Sequence, residues 1–158
     1  MVKTILTTKQ TSLLKQLFLQ TDIFSHFYLT GGTALSEYYL HHRYSEDLDL
    51  FSEMEVDPFT IQIILKKLIP ILKIKKIDFQ QSYNRNLFFL HFENEVIKTE
   101  FTYFPFSEIE KPHAVDHVIV ESLIDIAVNK TFTIYQNPRS RDFIDLYLIL
   151  QKKQWKFD

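Results

Sequence analysis

The sequence predicts an α+β fold in which a mixed sheet is flanked by helices and followed by a helical C-terminal part. Short runs rich in β-branched and aromatic residues alternate with segments at helical spacing, and the last part of the chain is helical in pattern. No Gly-, Ser- or Pro-rich linker divides the 158 residues. Residues 1–158 are therefore predicted as one domain, with a sheet core over residues 1–110 and C-terminal helices over residues 115–158.

The first predicted elements alternate between helix and strand. TTKQTSLLKQLFLQ, residues 7–20, has leucines at helical spacing behind threonines that can act as the N-cap, which predicts the first helix. IFSHFYLT, residues 23–30, predicts a strand that runs into Gly31. A short helix over residues 33–39 and a second strand over residues 47–51 complete this first half of the sheet core.

The central part of the chain predicts one helix and three strands. Asp57-Pro58 combines an N-cap acceptor with a proline at the first helical position, and the helix is predicted to end near Pro70. Residues 74–82 predict a strand. Residues 87–104 predict a hairpin that turns at its Glu-Asn-Glu segment.

Two helices are predicted at the end of the chain. ESLIDIAVNKTFTIYQ, residues 121–136, is the first of them, and Asn137-Pro138 interrupts the pattern. SRDFIDLYLILQKK, residues 140–153, is the second, with Ser140 as its N-cap.

Composition excludes several classes of function. A net charge of −2 provides no broad basic footprint for duplex nucleic acid or an anionic membrane. The absence of cysteine excludes disulfides, thiolate metal sites and cysteine nucleophiles. The N-terminal stretch lacks the apolar core of a signal peptide, and no run of about 20 apolar residues is present to span a bilayer. We therefore expect a cytoplasmic protein without a membrane segment.

The chain has only two glycines, and they are adjacent at Gly31 and Gly32. Average usage of about 7% would give roughly eleven. Between a strand and a helix, Gly31-Gly32-Thr33 can direct backbone N–H groups at an anion, and phosphate is the natural candidate. The alternative interpretation is a tight strand-to-helix turn.

Two aspartates on the second predicted strand form the next motif. Asp47 and Asp49 share one face of that strand because side chains alternate along a strand. Two carboxylates so close together repel each other unless a cation lies between them. Mg²⁺ takes carboxylate oxygens and keeps positions open for a substrate phosphate. A solvated pair at a strand end is the alternative, but the preceding glycines favour a site for metal and phosphate.

This arrangement resembles the nucleotidyltransferase fold shared with DNA polymerase beta. More narrowly, GGTALSEYYLHHRYSEDLDLF resembles the AbiEii/AbiGii type of nucleotidyltransferase toxins, whose Gly-Gly-Thr-x-Leu motif precedes an Arg-x-Ser-x-Asp-Leu-Asp motif. Arg43 and Ser45 take their places in that second motif, ahead of the two aspartates. IKTEF, DIAVNK and RDFIDLY match the later motifs, so the resemblance extends over residues 29–149.

The resemblance implies roles for individual residues. The catalytic residues, which would also be the metal ligands, are Asp47, Asp49 and Glu100. The residues that would bind nucleotide are Gly31, Gly32, Thr33, Ser45 and Lys130. The implied cofactor is Mg²⁺ or Mn²⁺, and the implied substrate is a nucleoside triphosphate.

Several of these assignments have alternatives. Glu100 could also be a solvated hairpin carboxylate, and Lys130 could lie on a solvated helix face. Asp142 and Asp145 are interpreted as supporting residues, with Lys130 or Arg43 as their candidate partners.

The function implied by the resemblance is metal-dependent transfer of a nucleoside monophosphate from the triphosphate to a hydroxyl of RNA (tRNA-like) or of a protein. The protein would be the toxin of a toxin–antitoxin or phage-defence pair, with a cognate antitoxin as partner. Two rival functions stay open: a catalytically silent module of the same fold that acts through protein partners, and a metal-dependent nuclease.

Overall fold

The computed structural model describes residues 4–155; helices alternate with strands in its first half, and five successive strands and two helices follow. Residues 1–3 and 156–158, at the ends of the predicted domain, lie outside the described residues. The α-helices are α1 Thr8–Phe18, α2 Thr21–Phe24, α3 Gly31–Ala34, α4 Pro58–Leu72, α5 Leu123–Gln136 and α6 Ser140–Lys153. The strands are β1 Phe27–Thr30, β2 Leu48–Ser52, β3 Lys76–Ser82, β4 Arg85–His91, β5 Val96–Tyr103, β6 His113–Val115 and β7 Val118–Val120. Helix α3 continues directly into a π-helical segment, Leu35–Leu40.

All seven strands of the described chain form one sheet in the order β3-β4-β5-β2-β1-β7-β6. Strand β2 is parallel to β5 and antiparallel to β1, and β1 is parallel to β7. The other neighbours are antiparallel. The sheet is therefore mixed, which confirms the predicted α+β fold.

The hydrophobic core lies on one face of this sheet. Along β2, Leu48 and Leu50 are fully buried, whereas the intervening Asp49 is only half-buried. The buried leucines and isoleucines of α1 and α4 belong to the same core cluster as these strand residues. The opposite face, here called the outer face, can therefore carry polar side chains.

Two helices differ from the prediction. The segment predicted as a strand from residue 23 starts with α2, and β1 begins only at Phe27. Helix α4 passes Pro70 and ends at Leu72, followed by Lys73 in the left-handed region at φ 60°. Pro70 is exposed, so water can solvate the carbonyl that its missing N–H leaves free.

The sheet also continues further along the chain than residue 110. Strands β6 and β7 form a short hairpin at its edge, and the turn residues Asp116 and His117 both have positive φ, 47° and 72°. Turns of this kind usually contain Asn-Gly or Asp-Gly, so the sequence Asp-His concealed this hairpin.

The predicted N-cap of α6 was also wrong by one residue, because the N-cap is Arg139 and Ser140 is already helical.

No helix within residues 4–155 combines the length and the apolar character needed to cross a bilayer.

Candidate functional site

Three neighbouring strands place a row of polar residues on the outer face of the sheet. Thr30 of β1 pairs with Asp49 of β2, and Asp49 pairs with Glu100 of β5. Directly paired residues project from the same face, so the carboxylates of Asp49 and Glu100 are neighbours. Asp47 lies just before β2, which starts at Leu48, one residue later than predicted. The sheet thus brings the three predicted metal-binding carboxylates into one region.

Asp49 has no direct hydrogen-bond or ion-pair partner among the described residues, although the charges of Lys98 and Arg85 act on it from nearby. Its carboxylate is half-buried and accepts no hydrogen bond from any residue in the described range. Burial raises the pKa of Asp49 to about 6, and the charges of Glu100 and Asp47 act in the same direction. The position therefore favours either a proton or a bound cation.

The other two carboxylates each have a cationic partner. Lys98 Nζ lies 2.9 Å from Asp47 Oδ2. Arg85 binds Glu100 in a bidentate manner, with Nε 2.6 Å from Oε1 and Nη2 2.7 Å from Oε2. Burial alone would raise the pKa of Glu100, but the hydrogen bonds from Arg85 and Thr102 outweigh it and lower the pKa. Glu100 is almost fully buried, which excludes the alternative of a solvated hairpin carboxylate.

These pairs decide how well the site fits a metal ion. In residues 4–155, no group of three or more His, Asp or Glu side chains is arranged to hold an ion. Asp47 and Glu100 are paired with Lys98 and Arg85 instead. The donor set nevertheless has the chemistry that Mg²⁺ or Mn²⁺ requires, since it offers carboxylate oxygens around an Asp49 that no cation contacts directly.

Both glycines are required by close approaches within the site. Gly31 has φ of +70°, and a Cβ there would lie 2.6 Å from Asp49 Oδ2. A Cβ on Gly32 would lie 2.5 Å from Arg43 Nη2 and 3.2 Å from Ser45 Oγ. Sequence reasoning assigned these glycines to a phosphate, which stays a prediction. The structure adds that they make room for the side chains of Asp49, Arg43 and Ser45.

The loop between the π-helical segment and β2 is also fixed to the site. Thr33 Oγ1 donates a hydrogen bond of 2.5 Å to the backbone oxygen of Asp47. This contact ties the start of β2 to the helix that follows the glycines. Thr33 is fully buried, so its side chain has a structural role in addition to the predicted contact of its backbone with nucleotide.

A second cluster of charges lies where the C-terminal helices meet the loop that follows the π-helical segment. Lys130 Nζ lies 2.6 Å from Asp142 Oδ1 and 2.8 Å from Asp145 Oδ2. Arg43 donates to both oxygens of Asp145, from Nε at 2.9 Å and from Nη2 at 2.7 Å. His42 Nε2 is 2.7 Å from the same carboxylate. These contacts confirm that the two aspartates pair with Lys130 and Arg43.

Asp145 is the centre of this cluster and is fully buried. Burial would raise its pKa, but hydrogen bonds from Arg43, Lys130 and His42 hold the pKa of Asp145 well below its ordinary value. Lys130 is itself buried, which excludes the alternative of a solvated helix face. Its predicted contact with a phosphate stays a prediction, because two carboxylates engage its ammonium group here.

Sequence reasoning did not identify Arg85 or Glu121. Glu121 follows β7 and is almost fully buried, where its carboxylate accepts hydrogen bonds from Thr30 Oγ1 and, at 2.8 Å, from Asn129 Nδ2. Burial raises its pKa to about 8. Both residues could have been found only with the strand register, which places Arg85 diagonally opposite Glu100 and Glu121 beside Thr30.

Comparison with known proteins identifies a family model that matches this chain. A family model described as the nucleotidyl transferase AbiEii toxin of a type IV toxin–antitoxin system matches residues 12–156. The uncharacterized protein aq_aa25 of Aquifex aeolicus (strain VF5) is 31% identical over 137 residues, which are 84% of this chain and 62% of that protein.

Two solved structures share the fold. The crystal structure of JHP933 from Helicobacter pylori has a TM-score of 0.64 and 16% identity, and the match covers 89% of this chain and 64% of that one. A putative nucleotidyltransferase from H. pylori has a TM-score of 0.66 and 17% identity, and the match covers 92% of this chain and 70% of that one. The chain thus spans less than two thirds of the length of aq_aa25 and of JHP933. Because the family model covers residues 12–156, the chain belongs to the AbiEii family of nucleotidyl transferase toxins of type IV toxin–antitoxin systems.

Proposed function

We propose that this chain is a metal-dependent enzyme that transfers a nucleoside monophosphate from a nucleoside triphosphate to a hydroxyl of RNA (tRNA-like) or protein, with pyrophosphate leaving. The observation that carries the proposal is the pairing of Asp49 with Glu100 across parallel strands, beside Asp47, with no cation in direct contact with Asp49 among the described residues. Neighbouring carboxylates repel each other and so destabilise the fold, and such a row is expected where a divalent ion binds between them.

In this proposal Asp47, Asp49 and Glu100 hold Mg²⁺ or Mn²⁺, which would neutralise charge on the phosphates. The residues of the chain then position the substrate. The backbone N–H groups of Gly31-Gly32-Thr33 face the triphosphate, and Ser45 lies next to Gly32. Positioning and charge neutralisation are the main requirements of such a transfer, so no covalent intermediate on the protein is needed.

Asp49 and Glu100 differ in how readily they accept a proton. Hydrogen bonds from Arg85 keep the pKa of Glu100 low, so Glu100 is a poor proton acceptor in the metal-free site. Asp49, with its pKa raised to about 6, is the stronger base of the two in the metal-free site. The family also leads us to propose a cognate antitoxin as the partner that restrains the activity in the cell.

The test is to incubate the chain with each α-labelled nucleoside triphosphate, Mg²⁺ or Mn²⁺ and a cell extract. We expect label on RNA or on protein with at least one nucleotide, and a loss of about 100-fold or more in Asp47→Ala and in Asp49→Asn. Asp78→Asn is the matched control, because Asp78 is a carboxylate on β3 away from the row. That control should transfer label at the wild-type rate.

Three outcomes would contradict the proposal. Failure to bind any nucleotide would indicate a silent module that acts through protein partners. Transfer unchanged in Asp49→Asn would show that Asp49 does not hold the metal for this transfer. Cleavage of RNA without any triphosphate would indicate a metal-dependent nuclease.

A further inference from the structure

Two cations at the surface, one exposed and one half-buried, lie on the carboxylates that the proposed function assigns to the metal. Arg85 covers both oxygens of Glu100, and Lys98 lies on Asp47 Oδ2. Both cations come from the outer face of the sheet, from β4 and β5. Asp49, between the two pairs, has no such partner among the described residues.

The geometry points to Arg85 and Lys98 as internal counter-ions that compete with the divalent ion for Glu100 and Asp47 and then turn to the triphosphate. This inference rests on the proposed function and adds a regulation of its site. The ion alone binds weakly because it must displace two cations. An ion that arrives with nucleotide binds better, because the displaced cations gain the phosphates as new partners.

The exposure of the Arg85–Glu100 pair supports this exchange. The Arg85 side chain is 51% exposed, whereas the Glu100 side chain is 6% exposed. In the second pair both side chains reach solvent, with Lys98 28% and Asp47 40% exposed. A long side chain at the surface can rotate away without opening the core. Glu100 is fixed in the middle of a strand, and Asp47 is held through the backbone contact with Thr33. The cations are therefore the parts of the site that move.

The second charge cluster, around Asp145, is buried and not open to solvent in this way. Lys130 is 10% exposed and Asp145 is fully buried, so the ammonium group of Lys130 cannot leave its carboxylates without leaving a buried charge unpaired. Arg85 also leaves a buried carboxylate, Glu100, when it turns outward, but the incoming divalent ion pairs with that carboxylate and water solvates the exposed guanidinium group. The two clusters thus differ in function: one holds helices together and the other is open to exchange.

The experiment measures the affinity of the nucleotide-free chain for Mn²⁺, by electron paramagnetic resonance of the free ion. Arg85→Gln and Lys98→Gln should each bind Mn²⁺ more tightly than wild type, by about 3- to 10-fold, the range expected for loss of a partly exposed ion pair as competitor. Arg85→Lys and Lys98→Arg keep the charge and should stay within about 2-fold of wild type.

Lys76→Gln is the matched control, because Lys76 pairs with Asp78 on β3, where the carboxylate is not part of the row. Its Mn²⁺ affinity should equal that of wild type. A second measurement uses an α,β-methylene triphosphate in saturating Mn²⁺. Its affinity should fall by about 3-fold or more in Arg85→Gln, because the triphosphate loses a cation.

The outcomes separate this inference from the function on which it rests. Weaker or unchanged Mn²⁺ binding in both Arg85→Gln and Lys98→Gln would overturn the inference, since the cations would then position the carboxylates rather than compete for them. If wild type and every variant bind no Mn²⁺, with or without the triphosphate analogue, the proposed function itself fails.

Discussion

At the scale of single residues, burial and the charges of two neighbouring carboxylates raise the pKa of Asp49 by more than the nearby cations lower it. Its carboxylate lies beside Glu100 and Asp47, and its pKa is raised from 3.8 to about 6. A carboxyl group that binds a proton more tightly in the native than in the unfolded state makes the native state less stable as pH rises. For Asp49 this loss accumulates between about pH 4 and pH 6 and is complete at neutral pH.

We therefore predict that Asp49→Asn stabilises the metal-free protein while it abolishes transfer. The amide keeps the shape of the side chain and removes the repulsion, so the free energy of unfolding at pH 7.5 should rise by about 1–2 kcal/mol. The measurement is urea unfolding in EDTA across pH 4 to 8. The gain should shrink as pH falls below about 6. An Asp49→Asn protein less stable than wild type at pH 7.5 would show that a local cation already balances this carboxylate.

At the scale of elements, the sequence predicts well those segments whose ends are marked by local chemistry. Asp57-Pro58 starts α4 where predicted, with Asp57 accepting hydrogen bonds from the backbone of Phe59 and Thr60. The alternating pattern around Asp49 and Glu100 predicts two strands with the correct faces. What local patterns lack is the register between distant strands, and register brings Arg85 onto Glu100 and explains why Gly31 must be glycine.

The short hairpin of β6 and β7 is an element that the sequence does not predict, because its local signals are weak. Its turn contains no glycine or asparagine, so no hairpin is predicted there, and the position of Glu121 stays hidden. The backbone N–H of Glu121 donates to Leu29 O at 3.0 Å, which sets the carboxylate beside Thr30 at the end of β1. Glu121 thereby links β1, β7 and α5, since Asn129 of α5 also donates to it.

This link leads to a prediction about pH. Burial raises the pKa of Glu121 from 4.5 to about 8, so wild type should lose stability as pH rises from about 4.5 to about 8. Glu121→Gln stays neutral and should be more stable than wild type at pH 8.5, by about 2 kcal/mol or more. Thermal unfolding at pH 5 and pH 8.5 measures the difference, which should be small at pH 5.

The control is Glu93→Gln at the exposed β4–β5 turn, which should follow wild type at both pH values. Equal stability of Glu121→Gln and wild type at pH 8.5 would mean that Thr30 and Asn129 already stabilise the charged form.

At the scale of the whole molecule, the C-terminal helices are joined to the sheet by the cluster around Asp145. Arg43 and His42 come from the loop that follows the π-helical segment, and Lys130 comes from α5. A π-helical turn is a rare feature that often lies at functional sites, and here its end at His41, with φ of 51°, leads the chain into this cluster. One buried carboxylate on α6 thus connects α5 with the loop that carries Arg43 to Gly32.

The cluster around Asp145 should contribute to the stability of the whole fold. Asp145→Asn keeps the size of the side chain but removes the carboxylate that Arg43 and Lys130 share. Lys130 keeps Asp142, whereas Arg43 loses this carboxylate, so the free energy of unfolding should fall by about 3 kcal/mol, the lower end expected for a broken buried pair. Chemical denaturation at pH 7 measures it, and Asp78→Asn, which breaks an exposed pair with Lys76, should change stability little.

The dependence on pH distinguishes this electrostatic origin from a loss of packing. Since the pKa of Asp145 lies well below its value of 3.8 in the unfolded chain, its contribution is present above about pH 4 and is lost as pH falls further. The deficit of Asp145→Asn relative to wild type should therefore be present at pH 7 and narrow below about pH 4. A deficit that persists unchanged at low pH would instead assign it to altered packing between α5 and α6. In that case the ion pairs of Asp145 would serve to position Arg43 beside Gly32 without holding the C-terminal helices to the sheet.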